Sequence, residues 1–76
     1  MDDGEIFHAI RHAISTIDLD PEADPPKVLA IGPDSAGNLV EIIWLELAGE
    51  LRIVIHAMAL RPTFWDLLPG PGEEPR

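Results

Sequence analysis

The sequence predicts a small α+β fold: a helix, a three-stranded antiparallel meander and a short closing helix, in the order α-β-β-β-α. Three observations carry that expectation. Isoleucines recur at helical spacing near the start of the chain. Three apolar runs, 27–32, 39–47 and 51–59, follow one another across short turn sequences. After them comes an Arg-Pro step with apolar residues behind it, the pattern of a helix start.

The first helix is expected over about residues 4–17. Ile6, Ile10, Ile14 and Ile17 fall at spacings of four, four and three, which draws one apolar stripe, supported by Phe7, Ala9 and Ala13. Asp2 or Asp3 can cap the start, and early acids suit the positive end of the helix dipole. Pro21 sets its latest end. Residues 18–26 are acidic and rich in proline and read as a linker. The run 27–32 reads as a first strand, closed by Gly32-Pro33, and residues 33–38 as a turn. Residues 39–47 and 51–59 read as a hairpin joined through Ala48, Gly49 and Glu50. Arg61-Pro62 opens the closing helix, with Phe64, Leu67 and Leu68 as its apolar face. Residues 1–68 thus form one domain, and the Pro/Gly-rich acidic stretch 69–76 reads as a flexible tail.

Size and composition bound the function. The chain has 76 residues and no cysteine, so neither a disulfide nor a thiolate metal site can staple it. Both sheet faces carry apolar side chains: Leu39, Ile43, Leu45 and Leu47 on one parity of the second strand, Val40, Ile42 and Trp44 on the other. Two short helices must then divide the two faces, or else a partner protein or a second copy covers the excess. Trp44, Met58, Phe64 and Trp65 are the candidate partner-binding anchors.

Fourteen acids against five bases give a net charge of −9, which excludes a generally basic nucleic-acid binder and opposes docking on anionic membrane. No apolar run is long enough for a membrane span, and the acidic start is unlike a signal peptide, so a cytoplasmic protein is expected. The charge is uneven. Residues 1–26 hold seven acids and one base, whereas 27–65 hold four acids and three bases. A local cationic site for RNA therefore survives in the middle of the chain, against the overall charge.

Few side chains can do chemistry. His56 carries the ring whose ordinary pKa, about 6.5, suits acid–base work near neutrality. Arg61 stands at a strand–helix junction where it can meet a phosphate, and Arg52 shares the parity of His56, roughly 13 Å away at about 3.3 Å per residue. These three are the candidate catalytic residues. The competing reading makes His56 a satisfied sheet residue and Arg61 an ion-pair donor to Asp66 or Glu50. His8, Arg11 and His12 share one helix face, but the two histidines lack an intervening Glu and a third ligand, and Arg11 repels a cation. No metal or cofactor is expected.

The segment from about 27 to 68 resembles the BrnT-type toxins of bacterial toxin–antitoxin systems, a branch of the RelE-like ribonuclease fold. The resemblance lies in Leu29-Ala30-Ile31-Gly32, in the run Gly37-Asn38-Leu39-Val40-Glu41-Ile42-Ile43-Trp44, and in Leu51-Arg52-Ile53-Val54-Ile55-His56-Ala57 leading into the last helix. Met58 stands where such toxins usually carry an arginine, and the closing helix lacks their Arg-rich character. The resemblance implies a RelE-like endoribonuclease toxin, neutralised by a cognate antitoxin, with His56 as acid/base and Arg61 and Arg52 as phosphate contacts. The alternative is a non-catalytic module that dimerises or binds a partner protein through an apolar sheet face.

Overall fold

The computed structural model describes residues 1–68; the predicted tail, 69–76, lies outside the described residues. Helix α1 spans Asp3–Arg11, and four strands follow: β1 (Ser15–Asp20), β2 (Lys27–Pro33), β3 (Leu39–Glu46) and β4 (Arg52–Ala59). A short 3-10 turn, Ala48–Glu50, joins β3 to β4, and a second 3-10 segment, Pro62–Leu67, follows β4. The strands form one antiparallel sheet in the order β1-β2-β3-β4.

Helix α1 starts where its cap dictates. The Asp2 carboxylate accepts from the Glu5 amide at 2.9 Å, with Asp3 and Glu5 in the first turn. It ends at Arg11, with His12 as C-cap, six residues before the expected end. The chain then leaves the helix to pair with β2: the Ile14 amide donates to the Ile31 carbonyl at 2.8 Å, and Ser15 to Asp20 run antiparallel to β2. The isoleucine stripe is overridden there because Thr16-Ile17-Asp18-Leu19-Asp20 also alternates polar and apolar, and strand pairing satisfies an edge of β2 that a longer helix would leave open. The expected linker shortens to residues 21–26 accordingly, and the sheet has four strands rather than three.

The other corrections are local. The closing element is 3-10 rather than α: the Phe64 amide donates to Arg61 at 3.0 Å and the Leu68 amide to Trp65 at 3.1 Å, both three residues back. In the β3–β4 turn, Gly49 (φ 73°) and Glu50 (φ 64°) both take left-handed backbone, as a tight hairpin requires.

The register assigns the side chains to two faces. Val28, Ala30, Val40, Ile42 and Trp44 lie on the face covered by α1 and pack with Ala9, Ile6, Ile10, Ala13 and Ala57. The helix sits so close over β2 that a Cβ on Gly32 would stand 2.2 Å from the Ala9 carbonyl oxygen. Leu29, Ile31 and Glu41 are buried on the opposite face. The segment after β4 crosses that face, from Leu60, whose amide donates to Leu39 at 3.1 Å, to Leu67, whose carbonyl accepts from Ser15 Oγ at 2.8 Å. The two terminal elements thus divide the two faces over β2 and β3. Among the described residues they leave much of β4 uncovered: Leu51, Ile53, Val54, Ile55 and Met58 are exposed.

Candidate functional site

On the face opposite α1, a single carboxylate organises the polar groups. Glu41 sits on β3, a central strand, with Ile31 of β2 and Met58 of β4 as its cross-strand neighbours, and its side chain is 0% exposed. A buried charge is costly unless every lone pair is matched. Here His56 Nε2 donates to Oε2 at 2.8 Å, the Arg61 amide to Oε1 at 2.8 Å, Arg61 Nη2 to Oε2 at 2.7 Å, and Arg61 Nε to both oxygens at 3.1 and 3.0 Å. Burial by itself raises the Glu41 pKa, but the Arg61 side-chain and backbone bonds, the His56 bond and the Arg61 charge outweigh it, and the net direction is down. Glu41 is therefore a carboxylate at neutral pH. The Arg61 pKa is raised, chiefly by its bonds to Glu41.

That carboxylate orients both cations. A carboxylate only accepts, so His56 Nε2 must carry the hydrogen, and Nδ1 is the ring nitrogen left to exchange a proton. Arg61 is gripped along Nε and Nη2, so Nη1 faces away from Glu41 and bonds nothing among the described residues. Phe64, half-buried, supports the guanidinium from its ring face at 5.3 Å. Both side chains reach the surface, His56 at 30% and Arg61 at 45% exposure. Two partly exposed donors thus converge on one buried oxygen, Glu41 Oε2.

Of the three expected catalytic residues, His56 and Arg61 come together and Arg52 does not. Ile43 pairs with His56 but Trp44 pairs with Val54, so Ile55 is an extra residue in β4. That bulge reverses the parity of the strand. Arg52 and His56, on one face by simple alternation, lie on opposite faces. Arg52 instead pairs with Glu46 at 3.5 Å and lies over the Trp44 ring at 4.8 Å, on the α1 side.

Among the expected partner anchors, Trp44 is corrected: it is 3% exposed and its Nε1 donates to Glu46 at 2.8 Å, so it belongs to the core. Trp65 and Met58 are exposed. His8 Nδ1 donates to the Pro33 carbonyl at 2.9 Å, and the His8 and His12 rings lie 4.5 Å apart. Among the described residues, no three His, Cys, Asp or Glu side chains are grouped to hold a metal.

The residue missed from sequence is Glu41. Its signal was present: one acid inside an apolar central strand must find partners that donate to it, and His56 and Arg61 are two of the few side chains in the chain able to do so. Arg61 meets Glu41 and not Asp66 or Glu50.

Comparison of the chain with protein-family models, curated proteins and solved structures gives no match in any of the three. No helix is long and apolar enough to cross a membrane, among the described residues.

Proposed function

We propose that this chain is the toxin-like member of a bacterial toxin–antitoxin pair, a cytoplasmic RNA-cleaving protein of RelE-like type held in check by a cognate antitoxin. The observation that carries this reading is the convergence of His56 and Arg61 on Glu41. It holds a proton carrier and an anion contact on the same buried carboxylate, with His56 Nδ1 and Arg61 Nη1 left free of it. His56 Nδ1 takes the proton of a ribose 2′-hydroxyl as its oxygen attacks phosphorus. The bond to the 5′-oxygen breaks, and the same nitrogen returns the proton to that leaving oxygen. The products are a 2′,3′-cyclic phosphate and a 5′-hydroxyl end. Arg61, through Nη1, meets the non-bridging oxygens where negative charge gathers. Glu41 is a positioning residue that holds the His56 tautomer and the Arg61 fork. Arg52 has no part in this site.

The net charge of −9 opposes RNA binding in general, but seven of the fourteen acids lie in residues 1–26. They sit on α1 and its N-cap, on β1 and between β1 and β2, whereas His56 and Arg61 lie at the β4 end of the sheet. The test is growth inhibition on expression. His56→Gln keeps an amide donor for Glu41 but cannot carry a proton, and we expect it to abolish inhibition while the protein still folds and still binds the antitoxin. Undiminished inhibition by folded His56→Gln would sink the reading.

A further inference from the structure

The two edges of the sheet are built differently. At one edge, β1 carries Asp18 and Asp20 and a register irregularity between them, the usual devices that keep a sheet edge from pairing with another chain. At the other, β4 has no acid, and Arg52, its first residue, is its only permanent charge. Leu51, Ile53, Val54, Ile55 and Met58 are all exposed there, on both sides of the strand, with Leu51 at 64% and Ile55 at 49%. Among the described residues, the outward backbone groups of β4 have no strand beside them, since β4 ends the sheet.

We propose that β4 pairs antiparallel with β4 of a second copy, joining two four-stranded sheets into one of eight strands. Three features favour a second copy over another occupant. The first is charge complementarity: Glu50 precedes the strand and Arg61 follows it, so an antiparallel pair centred between Ile55 and His56 sets each Glu50 opposite the second copy's Arg61. That contact takes up the Nη1 edge of the guanidinium, which Glu41 leaves open, so the second copy and the RNA phosphate of the proposed function compete for Arg61. The second is symmetry. The bulge at Ile55 falls at the middle of Arg52–Ala59, so a two-fold axis there brings the same bend from both sides. The third is long-range repulsion, which is lowered because four of the seven acids of residues 1–26, Asp18, Asp20, Glu22 and Asp24, lie on β1 or in its link to β2 and so at opposite extremes of the joined sheet. The pairing buries side chains that are otherwise exposed on both faces of β4.

Sedimentation of the full chain over rising concentration tests this. We expect a species of twice the 8.3 kDa chain mass. Ile55→Lys places a charge at the centre of the pair at an exposed position and should weaken it by about tenfold or more, whereas Phe7→Lys, exposed on α1, should leave it intact. Without any variant, hydrogen exchange at the outward β4 amides should slow as concentration rises, while exchange at β1 does not. A chain that stays monomeric at every concentration overturns the proposal. So does a dimer that Ile55→Lys leaves intact or that Phe7→Lys breaks equally. A chain that is monomeric alone and uses β4 only to bind a separate protein overturns the second copy as the occupant.

Discussion

The two faces of this sheet are closed in opposite ways. Under α1, the contact is apolar and close: Val28, Ala30, Val40, Ile42 and Trp44 meet Ala9, with the helix backbone almost on Gly32. On the other face, two apolar residues, Leu29 and Ile31, share the buried layer with a carboxylate, and a 3-10 segment is held down by bonds to Glu41 and Ser15. Apolar burial is the efficient way to stabilise a chain of 76 residues. A buried carboxylate with two cations is not, since well-packed hydrophobic residues of the same volume often do as well or better. The first face supplies the stability. The second gives some of it up, and gains two oriented, partly exposed cationic groups.

If that division holds, the largest effect on folding should come from the apolar face. Gly32→Val puts a side chain into the Ala9 backbone, where nothing flexible can yield. Overpacking of this kind costs about 1–3 kcal/mol or more, against the roughly 3–5 kcal/mol that a core of this size supplies. We expect the folded state to be mostly lost by circular dichroism. A folded, normally melting Gly32→Val protein would show that α1 can shift, and that the apolar face is less tightly set than its geometry implies.

The second effect is intermediate and depends on pH. Glu41→Gln keeps the shape and one acceptor oxygen but removes the charge, weakening bonds of a kind worth about 1.5–3 kcal/mol each. We expect a melting point several degrees lower at pH 7. The Glu41 pKa is lower folded than unfolded, so in the window between the two values the unfolded chain binds more protons and stability rises with pH. The Glu41 contribution is complete above the ordinary value of 4.5 and fades as pH falls through the folded value. The gap between wild type and Glu41→Gln should therefore narrow as melts are taken from pH 7 towards pH 3. A gap that is constant with pH would mean that the carboxylate charge is not what closes this face. Glu41→Gln should also weaken growth inhibition, because it releases His56 and Arg61.

The smallest effect is expected from Arg52→Ala. Its pair with Glu46 is half-exposed, and the guanidinium over Trp44 keeps about half of its own surface in water, so the loss should be about 1 kcal/mol, with growth inhibition unchanged. A loss of inhibition with normal melting would bring Arg52 into the site from the opposite face and break the comparison.

How much of this was visible in the residues follows from the range of the forces involved. Strands β2, β3 and β4 were legible because β-branched runs between turn formers carry their own pattern. Strand β1 was not, because Ile14 and Ile17 fit a helical stripe as well as a strand, and the choice is made by backbone pairing with β2. His56 and Arg61 stood out as isolated cationic groups, but the carboxylate joining them lies 15 and 20 residues away in sequence. Arg52 was misplaced for a different reason. One extra residue at Ile55 inverts the faces of the strand, and no local signal in an unbroken apolar run announces a bulge. Trp44 looks alike from sequence whether it fills a core or anchors a partner.

The order of strands also bears on how the molecule assembles in time. Each strand pairs only with its neighbours in sequence, so the sheet can zip up through short loops at small entropic cost. The bond from Ser15 to Leu67 spans 52 residues and joins the first strand to the segment that follows the last. Glu41 is placed in the sheet by pairing with β2 and β4, whereas Arg61 lies beyond the last strand. Until residues 61–67 dock on the sheet, that carboxylate lacks its main cation and its cover. The apolar face is closed by α1 on strands next to it in sequence, whereas the polar site also needs the segment beyond the last strand.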